Sequence, residues 1–184
     1  PDFVGVDGGS SDPGPYYLGS GQSFTNRSAV KRDLKLVLPL ALKAGAPLVV
    51  GTSGGSGSEK HLHWLREIVL EIAEEEKLAF SMALIYTDVT KEAVLQKFDA
   101  GKIKELGPLP LSRQDILDSN CIVSQIGAEP FMQALEAGAQ VVLAGRACDT
   151  AIYASPCLMK GYDPGLAFHM AKIMECGAMC ATPV

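Results

Sequence analysis

Residues 47–77 decide the fold, and they read PLVVGTSGGSGSEKHLHWLREIVLEIAEEEK. The apolar run at 47–50 shows no alternation with polar residues, which is typical of a strand buried on both faces of a parallel sheet. The glycine-rich segment 52–58 allows a tight turn. Apolar residues then recur at helical spacing over 59–77. The stretch therefore predicts a strand, a loop and a helix, which is the repeating unit of a parallel α/β fold.

The same order of elements recurs along the chain. We expect a single α/β domain over residues 1–184, with a Rossmann-like parallel sheet of about five strand–helix units and helices on both faces. The abrupt ends suggest a fragment of a longer protein. Besides 47–50, strands are expected at 3–6, 80–86, 121–124 and 141–144. Helices are expected at 28–44, 59–77, 90–100, 115–118 and 129–135, again from 145, and from about 164 to Cys180.

Composition narrows the class of partner and the compartment. The net charge is -5 with acidic and basic residues intermixed, which argues against nucleic acid because that partner requires a clustered basic face. An unbroken apolar run of about 20 residues, which a membrane span needs, is missing. Five cysteines beside apolar neighbours fit a reducing cytoplasm better than a secreted disulfide framework. We expect a cytoplasmic homo-oligomer that works with the remainder of its own chain or with a partner subunit.

Polar residues collect where the predicted strands end. Ligands of parallel α/β folds bind at these carboxyl ends, because the loops there are free and helix N-termini point inward. Each such residue, taken singly, could equally be a helix cap. Together they predict one small-molecule site. The residues expected to act in catalysis are Asp7, Asp12, Glu129 and Asp149, and those expected to bind the substrate or its anion are Ser10, Ser53, Gly54, Gly55, Ser56, Gly57 and Arg146.

Two of these features suit an anion. The glycines of 52–58 can turn backbone N–H groups inward beside a helix N-terminus, although the loop could equally be a tight turn for packing. It lacks both the P-loop lysine and the dinucleotide fingerprint. The planar guanidinium of Arg146 suits a carboxylate or a phosphate. An ion pair of Arg146 with Asp149 or Glu129 is an equally good interpretation.

Asp7 is the strongest candidate for moving a proton. It follows a buried strand and precedes two glycines, a setting that can desolvate the carboxyl and raise its pKa. Asp7 and Asp12 could also offer oxygen ligands to a divalent cation. Since a full ligand set cannot be named, we predict no metal site, and the sequence identifies no cofactor.

Several motifs resemble those of the acyclic terpene utilisation (AtuA) family. They are Asp7-Gly8-Gly9-Ser10-Ser11-Asp12-Pro13-Gly14-Pro15, Gly51-Thr52-Ser53-Gly54-Gly55-Ser56-Gly57, Gly127-Ala128-Glu129-Pro130, Ala144-Gly145-Arg146-Ala147-Cys148-Asp149 and Glu175-Cys176-Gly177-Ala178. Members of that family are longer and occur with acyl-CoA catabolism, including the degradation of citronellol-type terpenes. The resemblance implies a catabolic enzyme that acts on an organic acid or its CoA thioester.

The expected reaction is a lyase-type or hydratase-type step on a carboxylate or acyl-CoA, since proton abstraction beside a carbonyl needs a base and a nearby anion stabiliser. A non-catalytic binding or scaffolding subunit of a catabolic complex is the alternative. An NAD-dependent oxidoreductase is weakened by the missing fingerprint. A raised pKa of Asp7 would favour an enzyme, whereas a buried Asp7–Arg146 ion pair would favour a structural role.

Overall fold

The computed structural model describes residues 1–177 and Thr182. In that part of the chain, strands and helices follow one another in the order β1 (Val4–Gly9), α1 (Tyr16–Ser20), α2 (Arg27–Lys43), β2 (Leu48–Gly55), α3 (Glu59–Glu76), β3 (Met82–Ile85), α4 (Lys91–Asp99), α5 (Arg113–Asp118), α6 (Glu129–Glu136), β4 (Val141–Ala144), α7 (Asp149–Met159) and α8 (Pro164–Glu175). The helix expected to reach Cys180 ends at Glu175 among these residues, and Cys180 lies outside them.

The four described strands form one parallel sheet in the order β1-β2-β4-β3. Val6 pairs with Val50, and Leu143 lies between Val50 of β2 and Leu84 of β3. The prediction of a parallel α/β sheet with helices around it is therefore confirmed. Within residues 1–177 the number of strand–helix units is four rather than about five.

The strand predicted at 121–124 is wrong. Val123 forms only an isolated antiparallel bridge with Asp88, and two backbone hydrogen bonds, from Val89 to Ile122 and from Ser124 to Thr87, tie the segment to the chain leaving β3. Its residues are partly buried or exposed. Three consecutive apolar residues, Cys121 to Val123, are typical of a strand, but the segment pairs with the chain that leaves β3 instead of adding a strand to the sheet.

Helices cover both faces of the sheet. Leu48 and Val50 pack with α2 and α3 on one face, and Val49 packs with α6, α7 and α8 on the other. The chain moves in one direction from β1 through β2 to β3 and then reverses to insert β4, so right-handed crossovers require α6 to lie opposite α2 and α3. The reversal opens a crevice at the carboxyl ends of β2 and β4, which is where such folds bind ligands.

Two further findings bear on the sequence predictions. Among the residues described, none of the helices combines the length and the apolar character that a membrane crossing demands. Cys121, Cys148, Cys157 and Cys176 are free thiols.

Candidate functional site

The end of β2 is tied to the end of β4 by buried side chains. The Thr52 hydroxyl accepts a hydrogen bond from the Ala147 N–H at 3.1 Å and donates to the Ala147 carbonyl at 3.3 Å. The Ser53 hydroxyl donates to the Ala144 carbonyl at 2.7 Å. Both side chains are fully buried. The Ser53 hydroxyl, which we expected to bind an anion, therefore donates its hydrogen bond to the protein backbone.

The glycines of this loop serve close packing. Gly54, Gly55 and Gly57 all have positive φ values, and a Cβ on Gly57 would come within 2.3 Å of the Arg146 backbone nitrogen. The Gly57 N–H donates to the Ser53 carbonyl, and Gly55 pairs with Gly9 in the sheet. The loop therefore lets α3 and the exit of β4 approach each other, while Ser56 lines a cavity.

That cavity, the serine–arginine cavity, has a volume of about 400 Å³. Three predicted anion-binding residues, Ser10, Ser56 and Arg146, line it. Thr87 positions the arginine, because its hydroxyl accepts a hydrogen bond from the Arg146 backbone N–H at 2.7 Å. Within residues 1–177, the Arg146 guanidinium makes neither an ion pair nor a hydrogen bond, and neither Asp149 nor Glu129 pairs with it. The other lining residues are Ser11, Gly14, Pro15, Leu18, Val123 and Gln125.

Three carboxylates form a second group, the acidic cluster of Asp7, Asp149 and Glu175. Each contributes an oxygen, and these oxygens lie within 4.8 Å of one another. Asp7 comes from β1, Asp149 from the first turn of α7 and Glu175 from the last turn of α8. The cluster lies on the face covered by α7 and α8, where the Tyr153 ring packs so tightly that a Cβ on Gly5 would come within 2.6 Å of it.

The three carboxylates have unequal partners. Asp7 accepts a hydrogen bond from the Gly9 N–H at 3.2 Å, and the Asp7 N–H donates to the Tyr153 hydroxyl at 3.2 Å. Glu175 accepts hydrogen bonds from Lys172 and, at 3.1 Å, from the Cys176 thiol. Asp149 Oδ1 is buried, and the described structure offers it no hydrogen-bond partner. A buried oxygen without a hydrogen-bond partner costs free energy. Of the three carboxylates, Asp149 is therefore the one whose burial is least compensated.

The environment of Asp7 changes its acidity. Burial, followed by the negative charge of Asp149, raises the pKa of Asp7 from 3.8 to about 6. The hydrogen bond from Gly9 and the positive charge of Arg146 oppose this rise. Asp7 is therefore poised to gain or lose a proton near neutral pH. Repulsion among three carboxylates at this distance is relieved by a proton or by a cation.

Comparison with known protein families covers the chain from residue 22 onward. The family model described as "Acyclic terpene utilisation family protein AtuA" matches residues 22–183. The chain belongs to this family. Membership implies a role in acyclic terpene utilisation, and the resemblance noted from the motifs is confirmed. Neither a curated protein nor a solved structure matches the chain.

The family match includes one part of the candidate site and leaves out another. The glycine loop, Arg146, Asp149 and Glu175 lie inside the matched residues, whereas Asp7 and Ser10 precede them. Both groups of the site nevertheless combine the two parts, since Asp7 meets Asp149 and Ser10 lines a cavity with Arg146. The segment before residue 22 therefore supplies one of the three carboxylates and five of the nine residues that line the cavity.

Two predicted catalytic residues are members of neither group, although one of them, Asp12, adjoins the serine–arginine cavity. Asp12 is exposed, and its backbone N–H donates to the Ser10 hydroxyl at 3.1 Å. Glu129 is exposed in the first turn of α6, and a carboxylate oxygen of Glu129 lies beside Gly127.

Two residues of the site were missed. Tyr153 lies in an apolar stretch of α7 with no signal of function. Glu175 stood inside one of the family motifs, and that was the only signal that could have identified it.

Proposed function

We propose that this protein is an enzyme that moves a proton on an organic carboxylate or an acyl-CoA thioester, in a lyase-type or hydratase-type step of terpene or branched-acid degradation. Asp7 is the group that takes the proton. The observation that supports this most is the raised pKa of Asp7, about 6, in a carboxyl that forms no ion pair with Arg146. A base whose pKa lies near the working pH transfers protons most efficiently.

The remaining roles follow from charge. Above pH 6 Asp7 is ionised and can accept a proton from a carbon atom beside a carbonyl. Negative charge then develops on the substrate's oxygen, and Arg146 is a cation near enough to lower the pKa of Asp7. A guanidinium that binds this oxygen makes the neighbouring C–H more acidic and stabilises the anion that forms. Asp149 helps to keep the pKa of Asp7 high, which makes Asp7 a stronger base than an ordinary aspartate.

Solvent deuterium exchange tests the proposal without knowledge of the complete reaction. The protein is incubated in D₂O with 3-hydroxybutyrate, citronellate and their CoA thioesters, and proton NMR follows the signal of the carbon-bound hydrogens beside the carbonyl. We expect loss of that signal with at least one compound, at a rate that rises with pH through about 6. The Asp7→Asn variant should lose this exchange.

The matched control is Asp118→Asn, because the carboxylate of Asp118 accepts a 2.8 Å hydrogen bond from Gln114 at the protein surface and an asparagine can still accept it. It should exchange like the parent protein. Exchange that survives in Asp7→Asn, or no exchange with any compound, would contradict the proposal. Ligand binding without exchange would instead indicate a non-catalytic binding subunit.

A further inference from the structure

We infer that the serine–arginine cavity binds the free carboxylate of a short, oxygen-bearing organic acid, and that a CoA thioester is not its ligand. This rests on the proposed function and deepens it, because it chooses between the two substrate classes. Four features of the cavity carry the choice: its single cation, its neutral donors, its size with its apolar walls, and the charges around it.

Arg146 is the single charged residue among those found to line the cavity. Its guanidinium has no partner within the described chain, although the Thr87 hydroxyl fixes its backbone. A guanidinium presents paired N–H donors that match the two oxygens of one carboxylate. One carboxylate therefore satisfies the charge of the cavity completely.

Neutral side chains supply the other polar groups of the lining. The Ser10 hydroxyl accepts the Asp12 N–H at 3.1 Å, so its own proton remains available to a ligand. The hydroxyls of Ser11 and Ser56 make no hydrogen bond to the described residues, and Gln125 adds an amide. These groups suit a hydroxyl or carbonyl oxygen a few bonds from the carboxylate, as in a hydroxy acid.

The size and the remaining walls suit a short ligand. The volume of about 400 Å³ is near the lower end of the range of small-molecule sites. Leu18 and Val123 give it an apolar side, against which a few carbon atoms of an acid can pack.

The charges in and around the cavity disfavour a CoA thioester. It carries several phosphate charges, whereas the cavity offers one cation and the chain has a net charge of -5. The glycine loop would be the natural phosphate cradle, but the Gly57 N–H donates to Ser53 and Gly55 pairs with Gly9. Asp12 is exposed next to the lining residue Ser11, and the acidic cluster is near Arg146. Phosphates placed here would be repelled more than they are attracted.

Titration calorimetry at constant ionic strength tests the inference with 3-hydroxybutyrate, its neutral amide, free CoA and 3-hydroxybutyryl-CoA. We expect the acid to bind with a Kd on the order of millimolar, because so small a ligand makes few contacts. The amide should bind at least about tenfold more weakly, and Arg146→Gln should weaken acid binding by about tenfold to a hundredfold. Arg32→Gln, at an exposed arginine paired with Asp33, is the control and should change nothing.

Tighter binding of CoA or of the thioester than of the acid would overturn the inference, as would acid binding that is unchanged in Arg146→Gln or undetectable in the parent protein. The two proposals fail separately. If the thioester binds and its exchange depends on Asp7, the proposed function stands and this inference is wrong. If the acid binds through Arg146 but no compound exchanges its hydrogens, this inference stands and the proposed function is wrong.

Discussion

The carboxyl ends of β2 and β4 lie side by side, yet their polar side chains are in opposite conditions. At the end of β2, the hydroxyls of Thr52 and Ser53 are buried and hydrogen-bonded to the backbone that leaves β4. After β4, the guanidinium of Arg146 and the buried Oδ1 of Asp149 have no partner in the described structure. A buried polar group that is satisfied internally holds the fold, whereas an unsatisfied one costs free energy unless a ligand or a proton compensates it. The difference separates residues that hold the fold together from residues that are candidates for binding a ligand or a proton.

The largest effect should come from breaking the contact between the two strand ends. In Gly57→Ala, the new Cβ would lie 2.3 Å from the Arg146 nitrogen and 2.6 Å from the Gly145 carbonyl carbon, at a φ of 76°. Neither backbone atom can move without displacing β4. We expect a loss of more than about 3 kcal/mol in the free energy of unfolding, measured by urea denaturation.

Gly14→Ala is the matched control for this change. Gly14 has the same φ of 76°, but nothing lies within 4 Å of the added Cβ. Only the strain of the left-handed backbone remains, which costs about 1–2 kcal/mol. Equal losses in the two variants would show that the loop glycine serves backbone conformation and not close packing.

A smaller loss should follow removal of the hydroxyl that links the two regions. Thr87 is buried, accepts the Arg146 N–H at 2.7 Å and donates to the Gly57 carbonyl at 3.1 Å. Thr87→Val keeps the shape and leaves both groups unsatisfied, so we expect a loss of about 2 kcal/mol in the free energy of unfolding. Thr150→Val, which loses only a contact with the Cys148 thiol, should cost less than half as much. A loss in Thr87→Val no larger than in this control would contradict the conclusion that the Thr87 hydroxyl links the two strand ends.

The sequence predicted most of the fold, because the deciding signals are local. The apolar run of β4 and the periodicity of α3 predicted those elements to within one residue, whereas β2 continues to Gly55 through much of the segment expected to be a turn. The error at 121–124 has a physical cause. Whether a short apolar run joins a sheet depends on which chain segment lies next to it in the fold. Here the neighbouring segment is the one that contains Thr87 and Asp88, and it pairs with residues 123 and 124 outside the sheet.

The candidate site was only partly predictable, since it depends on contacts between distant parts of the chain. Parallel topology was enough to expect Asp7, Arg146 and Asp149 at one edge of the sheet. It could not show that the Ser53 hydroxyl is bonded to a carbonyl 91 residues away. Nor could it show that the last turn of α8 returns Glu175 to Asp7.

Removal of one negative charge from the acidic cluster should stabilise the protein. The unfolded chain ionises Asp7 near pH 3.8 and the folded chain near pH 6, so the folded state holds its proton more tightly. Stability therefore falls as pH rises from about 4 to about 6, and the loss is complete above that range. Asp7→Asn keeps the neutral form at every pH. We expect it to raise the free energy of unfolding at pH 7.5 by roughly 1–2 kcal/mol, discounted for the partial exposure of the carboxyl, and to raise Tm by about 3 °C.

The pH dependence separates this explanation from a general gain. At pH 4 the variant and the parent protein should have nearly equal Tm values, because Asp7 is already protonated in the fold. A gain of the same size at both pH values would mean that the charge of Asp7 does not oppose folding. A loss of stability at pH 7.5 would instead mean that the Asp7 carboxylate stabilises the fold, as the hydrogen-bonded hydroxyls of Thr52 and Ser53 do.

The smallest effect on stability should belong to the residue with the largest effect on binding. Arg146→Gln removes a guanidinium that forms no bond to the described residues, so the free energy of unfolding should change by less than about 0.5 kcal/mol. The positive charge of Arg146 lowers the pKa of Asp7, and its removal should raise that pKa above about 6, which a carbon-13 titration of the Asp7 carboxyl can follow. A merely structural arginine would give the reverse, with stability lost and the titration of Asp7 unmoved. Near-neutral stability together with a shifted titration is therefore the result that distinguishes a residue held ready for a ligand from one that holds the sheet together.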